Sequence, residues 1–229
     1  MLNFILAGRD TTAWAMTSFI YMMCQHPEVR QPAATHIHAR RRRGLTRPHA
    51  WAQVLSKLRA ELAEVLGESR APSYAELERM TYLEACMMEC QRLLPSVPMG
   101  IKFPLRDDQL PDGTTANRGD MIIYSNYVMG RLKKIWGADA LEFKPERWLT
   151  CDGIGVLGVS DCKFPAFNVG KRNCLGKPMA ILETKLLMST ILQRYSVEMI
   201  PGHSMQFNLS ATLTFTHGLH VKLTKLPGR

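Results

Sequence analysis

Apolar residues make up most of the chain from position 2 to position 23, with polar residues at 9–12 and at 17–18. Apolar side chains recur on most faces of a 3.6-residue period, which predicts a helix buried in a larger body. We expect this helix to end at His26-Pro27, because proline disfavours helical geometry in the residue before it. No apolar period continues through 31–55, so this segment is predicted to be a loop or an insertion.

Helical character returns at 57–66 and ends at Gly67, which suits a helix C-cap. Two matches to the Ser/Thr-x-x-Glu capping box follow, and they predict two helices in series, the second ending near Leu94. The two boxes are Ser73 with Glu76 and Thr81 with Glu84.

The second half of the chain has a different texture. Short extended runs broken by turn residues at 99–124 predict a small sheet. A last helix is predicted at 175–195, apolar on most faces and therefore buried. The tail at 205–223 alternates enough to form a hairpin. The expected fold class is mainly α with a small β-sheet.

The net charge of +9 comes from 29 Lys and Arg against 20 Asp and Glu. Five arginines, Arg40–Arg43 and Arg47, lie in the acid-free segment 31–55, and without them the net charge is 9 − 5 = +4. The Arg40–Arg43 cluster leaves nucleic-acid binding open as an alternative function. It lacks aromatic interleaving and a recognisable binding module, so a nucleic-acid partner is not expected.

Cysteine usage and hydropathy constrain the setting. The 6 cysteines are irregularly spaced, with no C-x-x-C pair of the kind that builds a zinc site. Free thiols in a reducing compartment are expected. No apolar stretch approaches the roughly 20 residues needed to span a bilayer, so we expect no membrane anchor in this chain.

One segment, 167–176, concentrates residues suited to cofactor chemistry: Phe167, Gly170, Arg172, Cys174 and Gly176. A cysteine just ahead of a helix meets unpaired backbone N–H groups and the positive end of the helix dipole, which favour a thiolate. The glycines let the backbone pass close to a flat ligand, and the arginine suits a carboxylate. The alternative for a lone cysteine is a buried structural role.

The segment resembles the F-x-x-G-x-R-x-C-x-G signature of cytochromes P450, since every fixed position is filled. The resemblance implies haem b as the cofactor and Cys174 as the thiolate ligand of its iron. It also implies that Phe167, Gly170, Arg172 and Gly176 contact the cofactor, with Arg172 facing a haem propionate.

The segment 7–12 resembles the motif of the family's distal helix, which crosses above the iron. The resemblance implies that Asp10 and Thr11 are catalytic, helping to deliver protons to bound oxygen. The alternative is that a mid-helix threonine bonds only to a backbone carbonyl.

Glu89 and Arg92 match the family's E-x-x-R motif, and their i,i+3 spacing places both on one helix face. The later P-E-R-W motif contributes Arg147. The resemblance implies a structural role, in which Arg92 and Arg147 share the Glu89 carboxylate and hold the loop that carries Cys174.

Five short segments are also similar in sequence to the branch of fatty-acid and alkane omega-hydroxylases: 94–98, 110–113, 130–131, 135–137 and 201–203. The resemblance implies that 1–229 is the C-terminal haem-binding portion of the P450 fold, from the distal helix through the ligand loop to the final helix. It leaves 31–55 as an atypical basic insertion.

The implied activity is a haem-thiolate monooxygenase that inserts one oxygen atom from O₂ into a C–H bond of a lipophilic substrate, with fatty-acid omega-hydroxylation as the specific form. Electrons would come from NADPH through a cytochrome reductase. Lys171, Lys177 and Lys185 either attract an acidic face of that reductase or are plain solubilising charge. The implied location is the cytoplasmic face of the endoplasmic reticulum membrane. An alternative is a truncated haem-binding remnant without catalysis.

Overall fold

The computed structural model describes residues 2–24, 48–67, 71–202, 204 and 206–227. These ranges are mainly helical with small antiparallel sheets, which confirms the predicted fold class. The α-helices are α1 Leu2–Met23, α2 Pro48–Leu66, α3 Tyr74–Arg79, α4 Thr81–Leu93, α5 Asn126–Met129, α6 Lys133–Trp136 and α7 Lys177–Arg194. The strands are β1 Met99–Lys102, β2 Asp108–Gln109, β3 Thr115–Ala116, β4 Ile122–Ser125, β5 Tyr195–Met199, β6 Phe207–Leu209, β7 Leu213–Phe215 and β8 Val221–Lys225.

Helix α2 begins at Pro48, well before its predicted start at position 57. The prediction of a loop across all of 31–55 is therefore wrong for 48–55. Proline suits the first turn of a helix, and a buried stripe at every fourth residue begins inside the supposed loop. The stripe consists of Val54, Leu58, Leu62 and Leu66. The remainder of the segment, including Arg40–Arg43, lies outside the described residues.

The two predicted capping boxes have different outcomes. Ser73 and Glu76 form a reciprocal capping box at the start of α3. The box of Thr81 with Glu84 is wrong, since the N-cap of α4 is Met80 and no side chain of α4 caps it. The Glu61 carboxylate of α2 instead accepts the N–H groups of Tyr82 at 2.6 Å and of the next residue at 2.8 Å. A neighbouring helix therefore supplies this cap.

Helix α4 lies at the centre of the fold. Every residue from Tyr82 to Leu93 except Glu84 is buried, and α1, α2 and α7 pack against it. A second, smaller cluster joins α4 to the region after α6, and its buried members are Ala85, Met88, Trp136, Ala140 and Trp148. Because α4 is buried on all sides, its charged side chains must find partners inside the protein.

Helices α1 and α7 are not buried on most faces, which corrects the prediction. The described part of α1 leaves Ile5 and Leu6 exposed, and α7 leaves Met179 and Leu187 exposed. The buried face of α7 includes polar residues as well as Met188 and Leu192. The pattern of apolar residues shows which helix faces are apolar, but it does not show whether another element of this chain packs against each face. No described helix has the length and hydropathy needed to cross a bilayer.

The extended segments form four antiparallel pairs. Strand β1 pairs with β4, and β2 with β3, so 99–124 forms two small sheets rather than one. In the tail, β6 and β7 form the predicted hairpin, while β8 pairs with β5 directly after α7.

Candidate functional site

The segment 167–176 lies on the surface immediately before α7. Cys174 is exposed, and its backbone N–H donates to the carbonyl oxygen of Phe167 at 2.8 Å. Its own carbonyl oxygen accepts the N–H of Lys177, the first residue of α7, at 3.4 Å. The thiol therefore lies at the N-terminal end of the helix, where the sequence places it.

The surroundings of Cys174 suit a flat and partly apolar ligand. Gly170 has a φ of +62°, and a Cβ added there would meet nothing within 4 Å. At Gly176 an added Cβ would lie 3.9 Å from the Cys174 Sγ. Beside the thiol, Leu175 is 80 % exposed. Arg172 is exposed and pairs with no carboxylate among the described residues. A soft sulfur donor, open glycines and a free guanidinium fit a haem with its acidic side chains.

Asn168, inside the same segment, was missed by sequence reasoning. Its backbone has a φ of 67°, the one positive φ at a described non-glycine residue. Its Oδ1 accepts from Lys102 Nζ at 2.8 Å and from the Tyr124 hydroxyl at 3.3 Å. These partners belong to β1 and β4, far away in sequence, so no spacing in the chain could have indicated them.

The Glu89 carboxylate is fully buried and accepts hydrogen bonds from several directions. Arg92 donates to both oxygens at 2.7 Å, and Arg147 Nε donates to Oε1 at 2.9 Å. The Trp148 indole donates to Oε2 at 2.9 Å, and the backbone N–H of Lys144 donates to Oε1 at 2.7 Å. The structure thus brings together Glu89, Arg92 and Arg147 of the E-x-x-R and P-E-R-W motifs, and it adds Trp148 to them.

Arg92 also binds the chain between α5 and the P-E-R-W motif. Its guanidinium donates to the carbonyl oxygens of Gly130, of Ala140 at 2.6 Å and of Glu142 at 2.8 Å. The ring of Trp136 lies beneath it, with the Arg92 Cζ 5.1 Å from the ring centroid. One buried side chain thereby holds three carbonyl groups in two separate stretches of backbone.

A row of aromatic rings connects this buried cluster to the cysteine segment. Trp148, which donates to Glu89, packs edge-on against Phe164 with centroids 4.7 Å apart. Phe164 directly precedes the short 3-10 helix Pro165–Phe167, and both phenylalanines pack on the second core cluster. The buried ion pairs and the cysteine segment therefore share one packed unit.

On α1, the Asp10 carboxylate accepts from Arg9 Nε at 2.7 Å, and this hydrogen bond lowers the pKa of Asp10. The Thr11 hydroxyl donates to the Ala7 carbonyl at 2.8 Å, the local bond usual for a mid-helix threonine. The Thr11 carbonyl accepts from the Ser96 hydroxyl at 2.9 Å. Among the described residues, no hydrogen bond or ion pair joins Asp10 or Thr11 to 167–176.

The three lysines near the cysteine segment differ in their surroundings. Lys171 is exposed, and Lys177 Nζ lies 5.4 Å from the Phe167 ring centroid. Lys185 is only 4 % exposed and pairs with Glu84 at 2.6 Å. Both alternatives for Lys185, a contact for a partner protein and a solubilising surface charge, need an exposed side chain and are therefore wrong.

Comparison with known proteins identifies the class. The sequence model for cytochrome P450 matches residues 52–223. The chain belongs to the cytochrome P450 family, which implies a haem cofactor.

Among its relatives, cytochrome P450 86B1 of Arabidopsis thaliana is 39% identical over 97% of this chain and 37% of its own length. Alkane hydroxylase MAH1 of Arabidopsis thaliana is 34% identical over 98% of this chain and 39% of its own length. Cytochrome P450 94A2 of Vicia sativa is 34% identical, over 98% of this chain and 39% of its own length. The chain thus spans about two fifths of the length of these relatives.

Proposed function

We propose that residues 1–229 form the haem-binding C-terminal portion of a P450 monooxygenase and that Cys174 is its iron ligand. The observation that carries this is the exposed Cys174 thiol at the start of α7, bordered by Gly170 and Gly176. A structural cysteine is normally buried, as Cys86 and Cys90 are in this chain. Cys151 and Cys162 are exposed as well, so exposure alone does not select Cys174. Its place just before α7, between Gly170 and Gly176, favours a ligand role.

The residues around Cys174 have separate tasks in this proposal. Arg172 would bind a haem propionate through its guanidinium, which pairs with no carboxylate in the described part of the chain, and Phe167 would contact the cofactor edge. Haem held there would supply the insertion of one oxygen atom from O₂ into a C–H bond, the other atom being reduced to water with two electrons from NADPH. Glu89, Arg92 and Arg147 would hold the cysteine segment in place through the aromatic row that ends at Phe164.

Asp10 and Thr11 would handle protons on α1. Asp10 is exposed, and the hydrogen bond from Arg9 lowers its pKa and favours the ionised form, which is the form that accepts a proton. Thr11 carries a hydroxyl that already donates to Ala7, and a second group could donate to its oxygen. Asp10 and Thr11 are consecutive residues of α1, so a carboxylate and a hydroxyl lie in the same turn of the helix, which supports the proposal.

The proposed substrate is lipophilic, with a fatty-acid or alkane chain as the specific form. This substrate class is supported by the relative named alkane hydroxylase and by the short sequence segments that resemble the omega-hydroxylase branch. A cytochrome reductase would deliver the electrons, and exposed Lys171 offers one contact for an acidic partner. The proposed setting is the cytoplasmic face of the endoplasmic reticulum membrane.

A haem-binding chain without catalysis is the second candidate. It is favoured by one observation: among the described residues, no hydrogen bond or ion pair joins Asp10 or Thr11 to the cysteine segment. Ligation and turnover therefore need separate tests.

The experiment for ligation is to purify the full chain, supply haem, reduce it, add carbon monoxide and record the absorbance. We expect a Soret band at the position typical of thiolate ligation, and its loss in Cys174→Ser. The matched control is Cys162→Ser, which removes another exposed thiol and should leave the band unchanged. Turnover of a long-chain alkane or fatty acid with NADPH and reductase then separates the monooxygenase from the silent haem binder.

A further inference from the structure

Asn168 adopts a backbone conformation that side chains avoid. Its φ is 67° and its ψ is −174°, a region populated almost entirely by glycine. Such a conformation persists only where the surroundings enforce it, and it is common at functional sites. Asparagine tolerates positive φ better than most residues, but glycine would fit this turn with less strain.

The side chain of Asn168 shows what holds it there. Its Oδ1 accepts from the Lys102 ammonium at 2.8 Å, from the Tyr124 hydroxyl at 3.3 Å and from the backbone N–H of Val169 at 2.9 Å. The ammonium and the backbone N–H can only donate, so the amide oxygen must point toward them. One acceptor therefore ties the turn to both strands of the β1–β4 sheet.

Gly100 makes room for this contact. Gly100 lies directly opposite Tyr124 in the antiparallel register, and a Cβ added to Gly100 would overlap the Tyr124 ring. The ring therefore lies across the bare backbone of β1, and from there its hydroxyl reaches Asn168. The missing side chain on one strand permits the hydrogen bond from the other.

The turn at Asn168 is coupled to Cys174 through one peptide group. The carbonyl oxygen of Phe167 belongs to the peptide bond that precedes Asn168, so the backbone angles at this junction set its direction. That carbonyl accepts the backbone N–H of Cys174 at 2.8 Å. A change at Asn168 would reorient the group that holds the cysteine backbone.

We propose that Lys102, Tyr124 and Asn168 form a clamp that positions the Cys174 backbone, with Asn168 as a positioning residue. The clamp holds the backbone of Asn168 in a strained conformation and thereby fixes the direction of the Phe167 carbonyl. Its consequence for iron ligation rests on the proposed function, but the clamp itself is a property of the polypeptide. It can therefore be tested without haem.

The test is hydrogen–deuterium exchange on the full chain without haem, resolved by mass spectrometry to the amide of Cys174. Lys102→Met removes the charged donor and should speed this exchange about tenfold, the usual scale for losing a hydrogen bond to a charged group. Asn168→Gly relieves the strain but removes the acceptor, so it should speed exchange by a similar factor. Lys102→Met in the Asn168→Gly background should add little. Lys222→Met, which removes an exposed lysine on β8, is the control for charge and should match the wild type.

Asn168→Gly is the decisive variant. If Asn168 merely fills a turn, glycine should fill it as well or better, and wild-type exchange in this variant overturns the clamp. Exchange that is faster throughout the chain in Lys102→Met would also overturn it, because the effect would be global unfolding.

The carbon monoxide spectrum of the haem-loaded chain gives an independent arm. A wild type without the thiolate band, combined with the predicted exchange pattern, removes the proposed function and leaves the clamp. A thiolate band combined with unchanged exchange in both variants removes the clamp and leaves the proposed function.

Discussion

Replacing Glu89 with Gln should destabilise the protein more than any other single change of charge considered for it. The Glu89 carboxylate is fully buried and accepts from Arg92, Arg147, Trp148 and the backbone of Lys144. Glutamine keeps the size but turns one acceptor oxygen into an NH₂ donor that faces other donors. It also leaves the guanidinium of Arg92, itself fully buried, without a counter-charge.

The expected magnitude follows from the burial. Removing one partner of a buried ion pair costs about 3–5 kcal/mol, because the remaining charge stays desolvated. The free energy of unfolding of an ordinary domain is about 5–15 kcal/mol, so Glu89→Gln would remove a large part of it. With a urea dependence of about 2–3 kcal/mol per molar, the unfolding midpoint should fall by roughly 1 to 2.5 M.

The assay is urea unfolding followed by tryptophan fluorescence, since Trp148 donates to the carboxylate and Trp136 packs against Trp148. Asp139→Asn is the matched control. Asp139 pairs with the same Arg147 at 3.4 Å, but its side chain is 29% exposed, so its loss should cost at most about 1 kcal/mol. Equal midpoints for the two variants would refute the reasoning that burial makes Glu89 essential.

Two other changes test the packing of α4 and the titration of a buried thiol. Gly130→Ala should abolish or severely weaken folding, because its Cβ would overlap the Arg92 carbonyl oxygen. The control is Gly158→Ala, whose Cβ meets nothing within 4 Å and which should be nearly neutral. Soluble yield and thermal melting measure the effect of both variants. Burial raises the pKa of Cys24 to about 11, so the folded chain keeps this proton while the unfolded chain loses it near pH 8.5 to 9. Stability should therefore fall as the pH rises from about 9 to about 11, and urea midpoints of Cys24→Ala should fall less steeply.

Local rules predicted much of the helical part of the fold. The capping box at Ser73 needs only residues of its own helix, and the Glu89–Arg92 pair needs only i,i+3 spacing. These two contacts could be predicted because the two residues of each pair lie within one turn of chain. Contacts between distant elements had no such signal, so the Glu61 cap on α4 was assigned instead to Thr81 with Glu84.

The candidate site divides along the same line. The motif residues around Cys174 could be located from the sequence, because the signature is contiguous. The Asn168 clamp could not, since Lys102 and Tyr124 come from a sheet whose register is known only in three dimensions. Lys185 shows a different error. Lysine is usually a surface residue, so the sequence predicted an exposed side chain, but the structure places it in a buried ion pair with Glu84.

The central claim, iron ligation by Cys174, is tested most directly by the reduced carbon monoxide spectrum of the haem-loaded chain. We expect a thiolate-type Soret band in the wild type and in Cys162→Ser, and its absence in Cys174→Ser. A wild-type band that persists unchanged in Cys174→Ser, or a wild type that takes up no haem, would contradict the account.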